Sequence, residues 1–172
     1  MELLERFAKG ELEAFETLFR QFQGEVFSWI IRIVRDPGIA EDLTVETFWR
    51  IYRARARFDP ARSFGAWARR IATNAAIDYL KTVRPEVLLT ENHGPAELPN
   101  PAVQRDLRDR IERAFANLPA KLQVVARLAL IEQQPYEEIA QALGISVAAV
   151  KSRAFRAVRL LRRKLKRMGV EP

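Results

Sequence analysis

The chain has 172 residues, of which 48% are hydrophobic and 30% are charged, so its composition can supply a buried core. It contains no cysteine, which excludes a disulfide framework, a thiolate zinc site and a thiol nucleophile. The formal net charge of +7 favours an anionic partner, such as nucleic acid, an anionic membrane or an acidic protein. No apolar run approaches the roughly 20 residues of a membrane span, and the N-terminus lacks the order of a secretory signal, so we expect a cytoplasmic protein without membrane insertion.

The charge is unevenly distributed along the chain. Residues 1–85 carry a net charge of +2, residues 86–103 carry −3, and residues 104–172 carry +8. The stretch 85–103 also contains four prolines, a density that forbids a continuous helix. Since both flanking regions have helical periodicity, the sequence predicts an all-α fold, with small helical domains at 1–84 and 104–172 joined by a flexible linker at 85–103.

Three helices are expected in the first domain. Apolar residues in 12–30 recur at three- and four-residue steps, typical of one face of a long helix, which ends by Pro37. A second helix is expected at about 39–56. After a break at Phe58, the third should run over about 63–81, with Ser63 as its N-cap.

The second domain ends in a pattern typical of a helix-turn-helix. Apolar spacing first predicts helices around 107–115 and 122–129. Pro135 then suits the first turn of a short helix, and Gly144 suits a left-handed residue at its end. Ser146 is a good N-cap for a following helix. A short helix, a glycine-containing turn and a second helix together predict a DNA-binding motif.

The last predicted helix is strongly basic, with nine cations and no acid between Lys151 and Arg167. Recognition helices place side chains near their N-terminus at base edges and other cations on phosphates. A solvated amphipathic helix is one alternative, although such a face usually mixes both signs of charge. A membrane-surface helix is another, although Phe155 is the only aromatic residue in this stretch.

Three pieces of the sequence resemble sigma factors of the extracytoplasmic-function (ECF) group: RIATNAAIDYL, YEEIA and VKSR, in this order. Residues 40–80 look like region 2 of the family, which binds core RNA polymerase and opens the −10 promoter element. Residues 118–165 look like region 4, which binds the −35 element. The resemblance covers nearly the whole chain. It implies a sigma factor that directs promoter-specific transcription initiation, with core RNA polymerase, promoter DNA and an anti-sigma factor as partners.

The resemblance assigns polymerase binding to the helix at 39–56. Core packing remains an alternative for Leu43 and Phe48. Trp49 lies about 100° around the helix from Phe48, so one narrow face cannot bury both. Val45 stands where the family usually has glutamine. The polymerase-binding residues implied are Asp42, Leu43, Glu46, Phe48 and Trp49.

The helix after it resembles the −10 reader. Asn74 matches the asparagine that contacts an extruded non-template base, while Ser63 and Phe64 match positions near the base pocket. Extrusion costs a few kcal/mol, and an amide can pair with the polar edge of the base. Arg69 and Arg70 would hold phosphates. For Asn74, a plain surface residue is the alternative.

In region 4, the resemblance assigns the −35 groove to one face of the basic helix. Lysine or arginine can donate hydrogen bonds to guanine O6 and N7 in the major groove. Ala148 and Ala149 stand where Gly-Thr is common, so a hydroxyl that could reach a phosphate is missing. The residues implied are Lys151, Ser152, Phe155 and Arg156, with Arg153 and Arg159 on phosphates or on other parts of the region.

Two other function classes remain open. One is a helix-turn-helix regulator that binds operator DNA without being a polymerase subunit, and the other is a module whose basic helix binds an acidic protein. The only histidine, His93, lies in the predicted linker and is expected to be solvated. Because the sequence has no P-loop and no dinucleotide fingerprint, we expect no enzyme activity, no cofactor and no metal.

Overall fold

The computed structural model describes residues 2–83 and 101–170, which form eight α-helices and contain no strand, so the all-α prediction is confirmed. His93 and most of the predicted linker fall outside these two stretches. Within them, no helix combines the length and the apolarity that crossing a membrane requires. The helices are α1 (Glu2–Ala8), α2 (Leu12–Val34), α3 (Pro37–Arg53), α4 (Phe64–Thr82), α5 (Pro101–Ala116), α6 (Ala120–Ala126), α7 (Tyr136–Leu143) and α8 (Val147–Arg167).

The N-terminal domain is a bundle of α2, α3 and α4, and α1 covers one end of it. Phe7 of α1 is fully buried, with its ring centroid 5.6 Å from that of Phe64, and Phe58 and Trp67 complete the cluster with centroids 4.8 Å apart. Buried aromatic rings contribute large apolar areas, so this cluster fixes the start of α4. The periodicity did not predict α1, because seven residues give only about two turns of pattern.

The helix starts follow the predicted capping chemistry. The Ser63 hydroxyl accepts a hydrogen bond from the Ala66 amide at 3.2 Å, which confirms the N-cap of α4. α3 begins at Pro37, two residues earlier than expected, because Asp36 accepts from the Ile39 amide at 3.1 Å. It ends at Arg53 rather than 56, because a 3₁₀ turn over Arg55–Arg57 follows.

Polar contacts tie α4 to both neighbouring helices. The Trp29 indole N–H donates to the Thr73 hydroxyl at 2.9 Å, which joins α2 to α4 and satisfies both buried groups. On the other side, the Arg50 guanidinium donates to Asp78 at 2.9 Å and joins α3 to α4. The orientation of α4 in the bundle is therefore fixed by hydrogen bonds to both α2 and α3.

In the C-terminal domain, α5 begins at Pro101, inside the stretch predicted as linker. Proline is favoured at the first helical position, because the amide it lacks has no partner there. α6 ends at Ala126, earlier than expected, and continues as a π-helical turn over Arg127–Ile131. The Arg127 side chain is 2% exposed and donates to both Glu112 carboxylate oxygens, at 2.6 and 3.2 Å.

The helix-turn-helix prediction agrees with the geometry of α7 and α8. Gly144 has φ 67°, the left-handed conformation expected for the turn, and the Ser146 hydroxyl accepts from the Ala149 amide at 3.1 Å. Ile139 and Val150 are fully buried between the helices. α7 also packs against α4 of the first domain, a contact that the sequence did not predict.

Candidate nucleic-acid and polymerase interfaces

One face of α8 is exposed along its first three turns. The opposite face is anchored in the domain by Val150, Ala154 and Ala157, which are buried at three- and four-residue steps. The same periodicity brings five of the residues predicted for −35 binding to the solvent side, and Phe155 is 65% exposed there. These are Lys151, Ser152, Phe155, Arg156 and Arg159, whereas Arg153 is half-buried at the edge of the face.

The cations of α8 are available to an outside anion. Among the described residues, no carboxylate forms an ion pair with any of the nine cations of this helix. Arg159 lies 5.9 Å from the centroid of the Phe155 ring, and Lys164 donates to the Asn117 carbonyl at 3.1 Å. A concentrated, uncompensated positive field of this kind attracts the phosphates of a nucleic acid.

The arginines predicted for the −10 element already have protein partners. Arg69 lies 3.6 Å from Glu25, and its guanidinium stacks 4.5 Å from the Trp29 ring centroid. Arg70 is exposed, but its guanidinium lies against Gly144 of the helix-turn-helix. Asn74 is exposed on the same helix, one turn beyond Arg70.

A cleft of about 580 Å³ opens between α1, α2 and the start of α4. Ser63, Phe64 and Arg69 line it, and the Phe64 ring is buried within the aromatic cluster. Asn74 does not line it and lies about 16 Å beyond Ser63 along α4. The structure therefore brings three of the predicted −10 residues together at the cleft and leaves Arg70 and Asn74 at a second place on the helix.

The residues predicted for polymerase binding divide between the two faces of α3. Asp42 is exposed, Trp49 is 56% exposed and the neighbouring Val45 is 66% exposed. Leu43 is half-buried, and Phe48 is 2% exposed, with its ring 4.8 Å from that of Phe19. The solvent face of α3 thus has an apolar patch, formed by Val45 and Trp49, with the Asp42 carboxylate beside it.

Glu46 at the edge of this patch is held by two arginines. Arg50 donates to it at 3.0 Å, and Arg53 lies 3.7 Å away. Burial of Arg50 opposes its charge, but its hydrogen bonds to Glu46 and Asp78 outweigh this and raise the pKa of the guanidinium above its ordinary value. The Glu46 carboxylate is therefore oriented by two arginines of its own helix. A partner protein would encounter it already bound to Arg50.

Sequence reasoning missed the charged contact between the domains. Glu132, which follows the π-helical turn, lies 3.5 Å from Arg35 and 4.0 Å from Arg32 at the end of α2. These residues are about 100 positions apart in the chain, so no local periodicity or capping pattern could have paired them. The only signal in the sequence was Glu132 itself, the one charged residue in the stretch 128–136.

Comparisons with known proteins agree with this arrangement of two domains. Residues 18–85 match the family model described as Sigma-70 region 2, and residues 108–161 match the model described as Sigma-70, region 4. The RNA polymerase sigma factor CarQ of Myxococcus xanthus is 33% identical over 175 residues, covering 98% of both chains. The ECF RNA polymerase sigma factor SigW of Bacillus subtilis is 30% identical, covering 92% of both.

A solved structure is similar over nearly the full length as well. CnrH, in complex with the cytosolic domain of CnrY, is 27% identical, with a TM-score of 0.59 and 95% of each chain covered. These likenesses do not favour a regulator that works apart from polymerase. With both region models matched in order and full-length relatives at 30% identity or more, the chain belongs to the sigma-70 family, in its ECF group, and is an RNA polymerase sigma factor.

Proposed function

We propose that this sigma factor divides promoter recognition and polymerase binding among three surfaces. The solvent face of α8 reads the −35 element, α4 and its cleft act on the −10 element, and the solvent face of α3 binds core RNA polymerase. The chain acts in the cytoplasm as an initiation factor without catalysis of its own. The observation that carries the proposal is the face of α8, which is exposed, cationic and free of acids.

The −35 assignment follows from the position of each side chain on α8. Lys151 and Ser152 lie in the first two turns, the part of a recognition helix that enters the major groove. Arg156 follows one turn later and can form two hydrogen bonds with guanine. The exposed Phe155 ring offers an apolar contact, such as a thymine methyl group. Because residue 149 is alanine, its position adds no phosphate contact through a side-chain hydroxyl.

The −10 assignment uses two places on α4. The cleft beside Ser63 and Phe64 has the volume of a small-ligand pocket, and we propose that it takes part in holding an unstacked base. Asn74, exposed further along, offers an amide to a base edge, and Arg70 beside it offers a cation to a phosphate. Arg69 is paired with Glu25, so we assign it mainly to shaping the cleft.

The polymerase assignment rests on the exposed apolar patch of α3. Trp49 and Val45 are large apolar side chains left in solvent, and tryptophan is enriched at binding hot spots. Phe48 supports this face from inside, through its contact with Phe19. Because CnrH was solved with a protein bound to it, we also propose that an anti-sigma factor binds this chain.

The direct test is run-off transcription from a promoter library, with and without core polymerase. We expect transcripts only when both the chain and core polymerase are present, and enriched promoters that share one −35 and one −10 sequence. Operator-like binding by the free chain, without core-dependent transcripts, would contradict the proposal.

A further inference from the structure

α8 is anchored in its domain at two separate places. Its N-terminal half buries Val150 and Ala154 in the core to which α7 contributes. Its C-terminal half buries Ala157 and Leu161 in a second apolar cluster, together with Phe115 of α5. Only the first anchor belongs to the helix-turn-helix. The orientation of the helix proposed to read DNA therefore also depends on α5, which lies outside the motif.

The end of α8 is bound by a cation from α5. Gly169 has φ 77°, and the amide of Val170 donates back into the last turn of the helix at 2.8 Å. At this turn the Met168 carbonyl accepts a hydrogen bond from Arg110 at 3.0 Å. A positive charge is favourable at the C-terminal end of a helix dipole. Asp106 binds the other terminal nitrogen of Arg110 at 2.8 Å, so the guanidinium is held between two partners.

α8 supplies a cation to α5 in return. Lys164 donates to the Asn117 carbonyl, just after the end of α5, at 3.1 Å. Its side chain is half-buried there, whereas the adjacent Arg163 is exposed. Each helix thus provides a cation that binds a carbonyl at the C-terminal end of the other. The two contacts, Arg110 with Met168 and Lys164 with Asn117, are called the reciprocal cap below.

The reciprocal cap lies far from the bases but at the end of a stiff helix. Counted from the first anchor at Val150, Arg156 lies roughly 9 Å along the axis and Met168 roughly 27 Å. A sideways movement of about 3 Å at the far end would therefore shift the helix at Arg156 by about 1 Å. Two parallel hydrogen bonds to guanine need a placement within about 0.5 Å. An ionic contact with a phosphate depends much less on direction.

We propose that Arg110 and Lys164 are positioning residues for −35 recognition. By joining α5 to the far end of α8, the reciprocal cap fixes the angle at which Arg156 approaches its base pair. Neither residue contacts a base, and Lys164 differs in this role from the exposed cations of the same helix. The proposal rests on the proposed −35 reading by α8. It assigns to the reciprocal cap the sequence preference of binding rather than its overall strength.

The test measures holoenzyme binding to the preferred −35 sequence and to sequences with one base pair substituted. Arg110→Ala should lower the ratio of preferred to substituted binding by roughly threefold to tenfold. Arg110→Lys, which can still donate to the carbonyl, should restore most of the ratio. Arg108→Ala removes the same charge from an exposed position of α5 and should leave the ratio unchanged. A loss of folded protein would lower binding to every sequence by one factor, so the ratio separates positioning from stability.

The second pair of variants makes the same comparison on α8. Lys164→Ala should lower the ratio, whereas Arg163→Ala, which removes the neighbouring exposed charge, should weaken binding to all sequences alike. An unchanged ratio in either Arg110→Ala or Lys164→Ala, or an equal fall in Arg108→Ala, would overturn the positioning role. A parent holoenzyme that binds all −35 sequences equally would overturn the proposed function itself, and this outcome is visible before any substitution is made.

Discussion

The two helices expected to read DNA differ in how their cations are held. On α8, the exposed cations have no carboxylate partner among the described residues, and the helix is anchored in the domain by its apolar face. On α4, Arg69 is paired with Glu25 and Arg70 lies against the second domain. The number of arginines in a helix is therefore a poor measure of its contacts with DNA. Whether a guanidinium can bind a phosphate depends on which groups of the protein it already contacts. In the described part of the chain, the cations of α8 are thus free of carboxylate partners, whereas both arginines of α4 already contact other groups of the protein.

The largest effect is expected where a predicted contact residue is buried. Phe48→Ala should lower the free energy of unfolding by about 3–5 kcal/mol, because the 2% exposed ring leaves a cavity. Trp49→Ala, at the next position but 56% exposed, should change stability by less than about 1 kcal/mol and should weaken binding to core polymerase. Denaturant unfolding and co-purification with core polymerase measure the two effects. If Trp49→Ala leaves polymerase affinity intact, the exposed face of α3 is not the binding surface.

The next effect concerns strand opening by α4. Asn74→Ala should slow open-complex formation, because unstacking a base costs a few kcal/mol and the amide that compensates it is lost. A fluorescent base analogue in the −10 element reports the opening. A template with a pre-melted bubble should partly rescue the variant, while Thr82→Ala, at another exposed position of α4, should behave as the parent. Opening at the parent rate on duplex DNA would remove Asn74 from the mechanism, provided that melting temperatures match.

Within α8, base reading can be separated from phosphate binding. Arg156→Ala should cost about 1–3 kcal/mol of binding and relax the preference at one or two base pairs. Arg163→Ala, also exposed but two turns further along, should weaken binding to all sequences alike. Holoenzyme binding to a set of −35 variants measures both. Equal losses on every sequence for both variants would mean that this face does not read bases.

The smallest effects are expected from removal of the two serine caps, at the starts of α4 and α8. Ser63→Ala and Ser146→Ala each remove a hydroxyl that accepts one backbone amide, so each should cost about 1 kcal/mol of stability. Thermal unfolding measures these losses. Only Ser63→Ala should also change use of the −10 element, because only Ser63 lines the cleft. An identical transcription profile for the two variants would assign Ser63 to capping alone.

Much of the local structure could be predicted from the sequence. The caps at Ser63 and Ser146, and the left-handed Gly144, depend on interactions within a few residues, so the local sequence is enough to predict them. The exposed face of α8 follows from helical periodicity once its apolar residues are placed.

The rest depends on contacts between distant parts of the chain. The burial of Phe48 and the exposure of Trp49 could not be separated by spacing alone, because the width of the buried face depends on how α2 and α4 pack. The pairing of Glu132 with Arg35, and of Arg70 with Gly144, arises only when the two domains meet. For the same reason the division of the −10 residues between the cleft and Asn74 was not visible in the motif.

The central claim is that α8 reads the −35 element for a chain that works as a polymerase subunit. The most direct measurement is sequencing of run-off transcripts from a randomised promoter library, with holoenzymes containing the parent or Arg156→Ala. We predict core-dependent transcripts in both cases, with the preference relaxed at one or two positions of the −35 element and unchanged at the −10 element. A change confined to the −10 element, or an identical −35 preference in both holoenzymes, would contradict it.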